Sequence, residues 1–159
     1  MDLQLTTLQW IFLTIPESIA LACLAVVLAG QVLHPRNVFK IGLIYAVFVY
    51  IIRFSSLAFG VHTILLIIIL ALLIHRVLKL KLSRSLFTAL VSMIILAVLE
   101  GMFLNIIYSL TETTLVEVRE ELMLWVLYGM PHTVSLFLLA FVIYKWRKKR
   151  YLKNGGYDA

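Results

Sequence analysis

The chain predicts an all-α, polytopic membrane fold: a bundle of five transmembrane helices with the amino terminus outside and the carboxyl terminus in the cytoplasm. Three observations carry this. Of 159 residues, 63% are hydrophobic and 14% charged, with a mean hydropathy of +1.04, so there is too little polar surface to cover a water-soluble globule. Apolar stretches of about 20 residues match the ~30 Å hydrocarbon core of a bilayer, and five are present, at about 8–30, 38–59, 60–78, 86–110 and 122–145. Basic residues gather in alternate connections, as spans threaded back and forth require.

The elements follow in order. Asp2 is the only charge before the first stretch, which lacks the positive flank and small-residue cleavage site of a signal peptide and is expected to be retained. Cys23, alone in the sequence, excludes an intramolecular disulfide and a cysteine zinc site. The first connection, Gln31 to Asn37, contains His34-Pro35-Arg36-Asn37, where proline and the residue before it disfavour continued helix. A tight turn centred on Phe59-Gly60 makes spans two and three an antiparallel hairpin. Between spans four and five, Thr111 to Leu122 alternates acids with Leu115, Val116 and Val118, which suits a short interfacial helix. Residues 1–145 thus form one transmembrane domain, and residues 146–159 a basic cytoplasmic tail.

Charge placement gives the orientation. With the amino terminus outside, all of the 14 basic residues except Arg53 and Arg119 fall on inner segments. The net charge of +6 then needs no nucleic-acid partner. The run Lys145-Trp146-Arg147-Lys148-Lys149-Arg150 is in the first place a topology anchor at an anionic leaflet, and in the second a docking surface for a cytoplasmic partner.

Five ionisable residues interrupt the apolar runs: Glu17, Arg53, His62, Glu100 and His132. Such residues are costly in a span and are functional by default. At the helical rise of ~1.5 Å per residue, Glu17 lies about 13 Å below the outer surface, Arg53 about 9 Å, and Glu100 and His132 about 15 Å. His62 sits at the outer mouth of span three. A polar, ligand-binding pocket in the outer half, touched by every span, is the functional expectation. The structural alternative is that Glu17 or Glu100 pairs with Arg53 and fastens the helices together.

Pro16 and Pro131 each sit inside a span and are expected to kink it, with neighbouring Thr or Ser re-satisfying the freed backbone. An ionisable residue directly follows each. Pro16-Glu17-Ser18-Ile19-Ala20-Leu21 and Pro131-His132-Thr133-Val134-Ser135-Leu136 share two identities in helices of the same direction, either by coincidence or as a parallel internal repeat. No phosphate loop, dinucleotide turn, His-Glu-x-x-His or nucleophile elbow is present, so neither an enzyme nor a cofactor is expected. The four histidines are dispersed, so no metal is expected either. Tyr45, Tyr50, Tyr108 and Tyr128 are further candidates for hydroxyls in the pocket.

Pro16-Glu17, Arg53 followed by Phe59-Gly60-Val61-His62-Thr63, Glu100 and Pro131-His132 resemble the five-span amino-terminal input domain of certain sensor histidine kinases of Gram-positive bacteria. The resemblance covers most of the chain. It implies a sensory membrane module in a bacterial cytoplasmic membrane, but no phosphoacceptor helix or ATP-binding motif follows here. The function expected is a sensory or regulatory membrane protein that binds a ligand or senses protonation and signals through span five to a cytoplasmic partner or a second copy. A small transporter or channel subunit, with the same residues lining its path, is the alternative. A structural membrane assembly subunit is the third reading.

Overall fold

The computed structural model describes residues 10–54, 59–111 and 122–153, and every element among them is a helix. A π-helical turn, Trp10–Thr14, leads directly into α1, Ile15–Leu28. Four longer helices follow: α2, Pro35–Phe54; α3, Phe59–Leu78; α4, Leu82–Thr111; and α5, Leu122–Lys153. Among the described residues, four segments are long and apolar enough to cross a membrane: Ile11–Leu28, Pro35–Ile52, Gly60–Leu78 and Leu82–Ile106.

Helix boundaries follow local chemistry. α1 ends in a Schellman motif, with Gly30 N–H donating to the Val27 carbonyl and Gln31 N–H to that of Val26. Gly30 takes the left-handed φ of +83° that this motif needs and that costs a glycine nothing. Pro35 opens α2, where its missing N–H has no intrahelical partner to lose. Arg36 and Asn37 therefore belong to the first turn of α2 rather than to a loop. At the next connection the helix already begins at Phe59, so Phe59-Gly60 is the start of α3 and not the centre of a turn. The expected interfacial helix, Thr111 to Leu122, lies almost wholly outside the described residues. α5 runs on to Lys153, which makes the first eight residues of the basic tail helical.

α1 is the central helix. It packs on α2, α4 and α5, while α2, α3, α4 and α5 contact one another in sequence and form an arc around it. In consequence 56% of Ile11–Leu28 is buried, against 28%, 22% and 22% of the other three apolar segments. The Trp10–Thr14 turn touches both α2 and α5, the two ends of the arc.

Large apolar side chains lie outside the bundle as well as inside it, while many of the interior residues are small. Phe39, Ile51, Ile64, Phe87, Phe137 and Phe141 are exposed, while Ala20, Ala22, Ala25, Ala89, Ser85 and Ser92 are buried. Small interior residues let helix backbones approach closely, as in bundles that pack within lipid. The buried hydroxyls of α4 are satisfied within the helix: Ser85, Thr88 and Ser92 donate to the carbonyls of Lys81, Arg84 and Thr88. A polar stripe is thereby buried without unpaired atoms.

Candidate functional site

Pro16 shapes the first half of the site. Proline lacks the N–H that would bond the Phe12 carbonyl, and its ring crowds that carbonyl. The wider turn at Trp10–Thr14 accommodates this, and such π-turns occur where a helix is built around a functional position. Glu17 follows in the first turn of α1, with its side chain 24% exposed.

His132 supplies the second half from α5. Pro131 lies inside that helix, and His132 is buried, its side chain 6% exposed. Nearby hydroxyls bond α5 itself, Thr133 donating to the Gly129 carbonyl and Ser135 to that of Pro131. The carbonyl that Pro131 leaves without its helical N–H partner is that of Leu127, one turn earlier, so these hydroxyls do not replace the lost bond.

Glu17 Oε2 stands 3.9 Å from His132 Nε2. That separation is too long for a hydrogen bond. His132 Nε2 is the buried side-chain nitrogen or oxygen left without a partner among the described residues. A buried polar atom in this state costs ~1–3 kcal/mol and calls for an explanation of its own.

Glycines set the spacing around the pair. A Cβ on Gly42 of α2 would stand 2.8 Å from Ile19 Cα, and one on Gly129 of α5 would overlap the Leu13 side chain. α2 and α5 therefore close on α1 immediately below and above Glu17. Three close approaches relate the first span to α5: Leu13 of the π-turn beside Gly129, and, from α1, Glu17 with His132 and the Val27 carbonyl with the Arg147 guanidinium. The two helices run parallel, and their Pro-Glu and Pro-His steps lie side by side.

The other candidates divide. Tyr45 of α2 is 3% exposed, lies within electrostatic reach of Glu17, and donates its hydroxyl to Met93 Sδ on α4 at 3.5 Å. Tyr50 is half-buried. His62, half-buried in the first turn of α3, and Glu100, on the exposed side of α4, each have an interaction partner. The backbone of Arg53 belongs to α2, while its side chain, with those of Tyr108 and Tyr128, lies outside the described residues. No trio of His, Cys, Asp or Glu gathers among the described residues.

Sequence reasoning singled out Glu17 and His132 but not the glycines that seat them. Gly42 and Gly129 stand among apolar neighbours, and only the approach of a second backbone distinguishes them from filler. The pair can do two things chemically. A proton on the imidazole facing a carboxylate draws them into contact, and a bound donor or acceptor between them bridges the gap. No family model, no curated protein and no solved structure matches the chain.

Proposed function

We propose that this chain is a five-span sensory or regulatory protein of a bacterial cytoplasmic membrane, with the amino terminus outside, whose input is proton uptake at the Glu17–His132 pair. The observation that carries the reading is the unpartnered, buried Nε2 of His132 facing a carboxylate at 3.9 Å. Histidine is the side chain whose charge changes in the physiological range. A charge pair near 4 Å interacts by about 4 kcal/mol at an effective dielectric of about 20, against about 1 kcal/mol in bulk water. Interaction on that scale, even halved, biases a two-state helix bend by more than tenfold.

The surroundings support such an element. Each partner follows a proline, Pro16 just after the π-helical turn and Pro131 inside α5. In the same half of the bundle, the titratable or charged residues carried by the packed elements are Tyr45, Tyr50 and Arg53 on α2, His62 on α3, Glu100 and Tyr108 on α4, and Tyr128 on α5. Of these, Tyr45 is buried within electrostatic reach of Glu17. Output runs down α5, which continues unbroken from Pro131 to the basic end at Lys153. A cytoplasmic partner, or a second copy, reads the movement of that end.

Spin labels at Gln31→Cys and Lys149→Cys, in a Cys23→Ala background reconstituted into nanodiscs, report the spacing of the inner ends of α1 and α5. Their distance distribution is expected to differ between pH 5 and pH 8, and to be fixed in Glu17→Gln and in His132→Gln. A distribution independent of pH, or one that still responds in both variants, rules the mechanism out. Proton flux into proteoliposomes that Glu17→Gln abolishes would replace sensing with transport.

A further inference from the structure

The inner end of α1 carries a second convergence of charge, remote from the Glu17–His132 pair. A Cβ built on Gly30 would stand 2.7 Å from Arg84 Nη2 of α4 and 2.9 Å from Arg147 Nη2 of α5. Two guanidinium groups from different helices thus meet over one glycine, in space that any other residue would fill. Arg147 also donates through Nη1 to the Val27 carbonyl, next to the Schellman turn.

Helix capping accounts for only part of this arrangement. The carboxyl end of a helix presents about half a negative charge. Two guanidinium groups bring two positive charges, leaving more than one in excess. Among the described residues the acids are Glu17 and Glu100, and neither is at this end. Arg76, Lys79 and Lys81, where α3 ends and α4 begins, add further positive charge at this end of the bundle. Five N–H donors on each guanidinium, in a fixed planar fork, exceed what one backbone carbonyl can take. The Trp146 indole, exposed and stacked under the Arg150 guanidinium at 4.0 Å, belongs to a ring type enriched at headgroup depth.

We propose that the notch formed by Arg84, Arg147 and Gly30 binds a phosphate group, supplied by the headgroup of an anionic lipid of the inner leaflet. Planar guanidinium groups match phosphate oxygens in bidentate geometry, and basic clefts between helix ends on the cytoplasmic side are where such headgroups dock. The bound phosphate neutralises the excess charge and ties α4 and α5 to the carboxyl end of α1. Phosphate chemistry is the firm part of the assignment. A free phosphate ion is the other source that would satisfy it.

Native mass spectrometry of the intact protein, released from neutral detergent doped with phosphatidylglycerol or phosphatidylcholine, measures this directly. Wild-type protein is expected to retain one phosphatidylglycerol at least tenfold more strongly than phosphatidylcholine. Arg84→Gln/Arg147→Gln should lose that preference, and Lys148→Gln/Lys149→Gln, with the same change of charge away from the notch, should keep it. Equal loss in both double variants, or equal retention of the two lipids by wild type, overturns the site. A parallel arm with millimolar inorganic phosphate distinguishes the sources: displacement of the lipid supports a phosphate site, and tight phosphate binding without lipid preference overturns the lipid assignment. Since Arg147→Gln also removes a cap, Arg84→Gln/Arg147→Lys, which retains one cation and the possibility of capping, serves as the second variant and should lose at least half of the preference. Failure here leaves the Glu17–His132 reading standing, because neither Arg84 nor Arg147 touches that pair.

Discussion

At the scale of single residues, a substitution at His132 distinguishes the proposed site from polar glue. An ion pair that fastened α1 to α5 would be closed, and breaking one partner of a closed buried pair costs ~3–5 kcal/mol. Here Nε2 makes no hydrogen bond and stands 3.9 Å from the carboxylate, at the outer limit of ion-pair contact. His132→Leu, of similar volume, removes a buried polar atom that is paying no return in hydrogen bonding, so it should leave stability within about 1 kcal/mol of wild type or raise it. Thermal unfolding in detergent checks this, and a loss above ~3 kcal/mol would mark the pair as structural. The same variant should be unresponsive in the spin-label experiment, which joins stability to lost function. Gly30 gives the opposite case. Its positive φ and the two guanidinium groups at its face mean that Gly30→Ala adds backbone strain of ~1–2 kcal/mol and displaces Arg84 and Arg147 together. Lower melting temperature and weaker lipid retention should appear together in that variant.

At the scale of elements, α2 and α5 are seated on α1 by different kinds of contact. At Gly129 the obstacle to a Cβ is the end of the Leu13 side chain; at Gly42 it is the backbone and Cγ1 of Ile19. Overpacking of this kind costs ~1–3 kcal/mol. Gly129→Ala should therefore be rescued by Leu13→Ala, since trimming the leucine opens the space, while Gly42→Ala should not be rescued by Ile19→Ala. A double-mutant cycle on unfolding temperature measures both couplings. This contrast also explains what the sequence could and could not reveal. The helices were legible because twenty-residue apolar runs and Pro, Gly and basic punctuation are local signals. The proline steps at Pro16 and Pro131 were legible for the same reason, and so was their common direction. Which helix lies at the centre was not. α1 owes its central place to Ala20, Ala22 and Ala25, which allow close approach from several sides, and alanine in an apolar run carries no mark of how many neighbours it has. Arg84 was visible only as a counted charge and Arg147 only as one member of the basic run read as an anchor at an anionic leaflet, because their meeting point over Gly30 depends on the packing of three helices.

At the scale of the whole molecule, the number of spans decides on which side each end lies. Among the described residues four segments meet the length and hydropathy of a membrane span, and an even number in the chain would return the carboxyl end to the side of the amino end. The packing of α5 argues for a fifth. It keeps company with α1 from Leu13–Gly129 through Glu17–His132 to Val27–Arg147, so it traverses the same depth as an apolar central helix instead of lying across one end of the bundle. The residues from Val134 to Val142 that point away from α1 include Phe137, Leu138 and Phe141, all exposed, as a helix facing lipid requires. Five spans place Lys149 and Gly60 on opposite sides. In a Cys23→Ala background, Gly60→Cys should react with a membrane-impermeant maleimide on intact cells, whereas Lys149→Cys should react only after the membrane is permeabilised. Labelling of both from outside would establish an even number of spans, place the basic end of α5 outside, and overturn the proposed route from Glu17 and His132 to the cytoplasm.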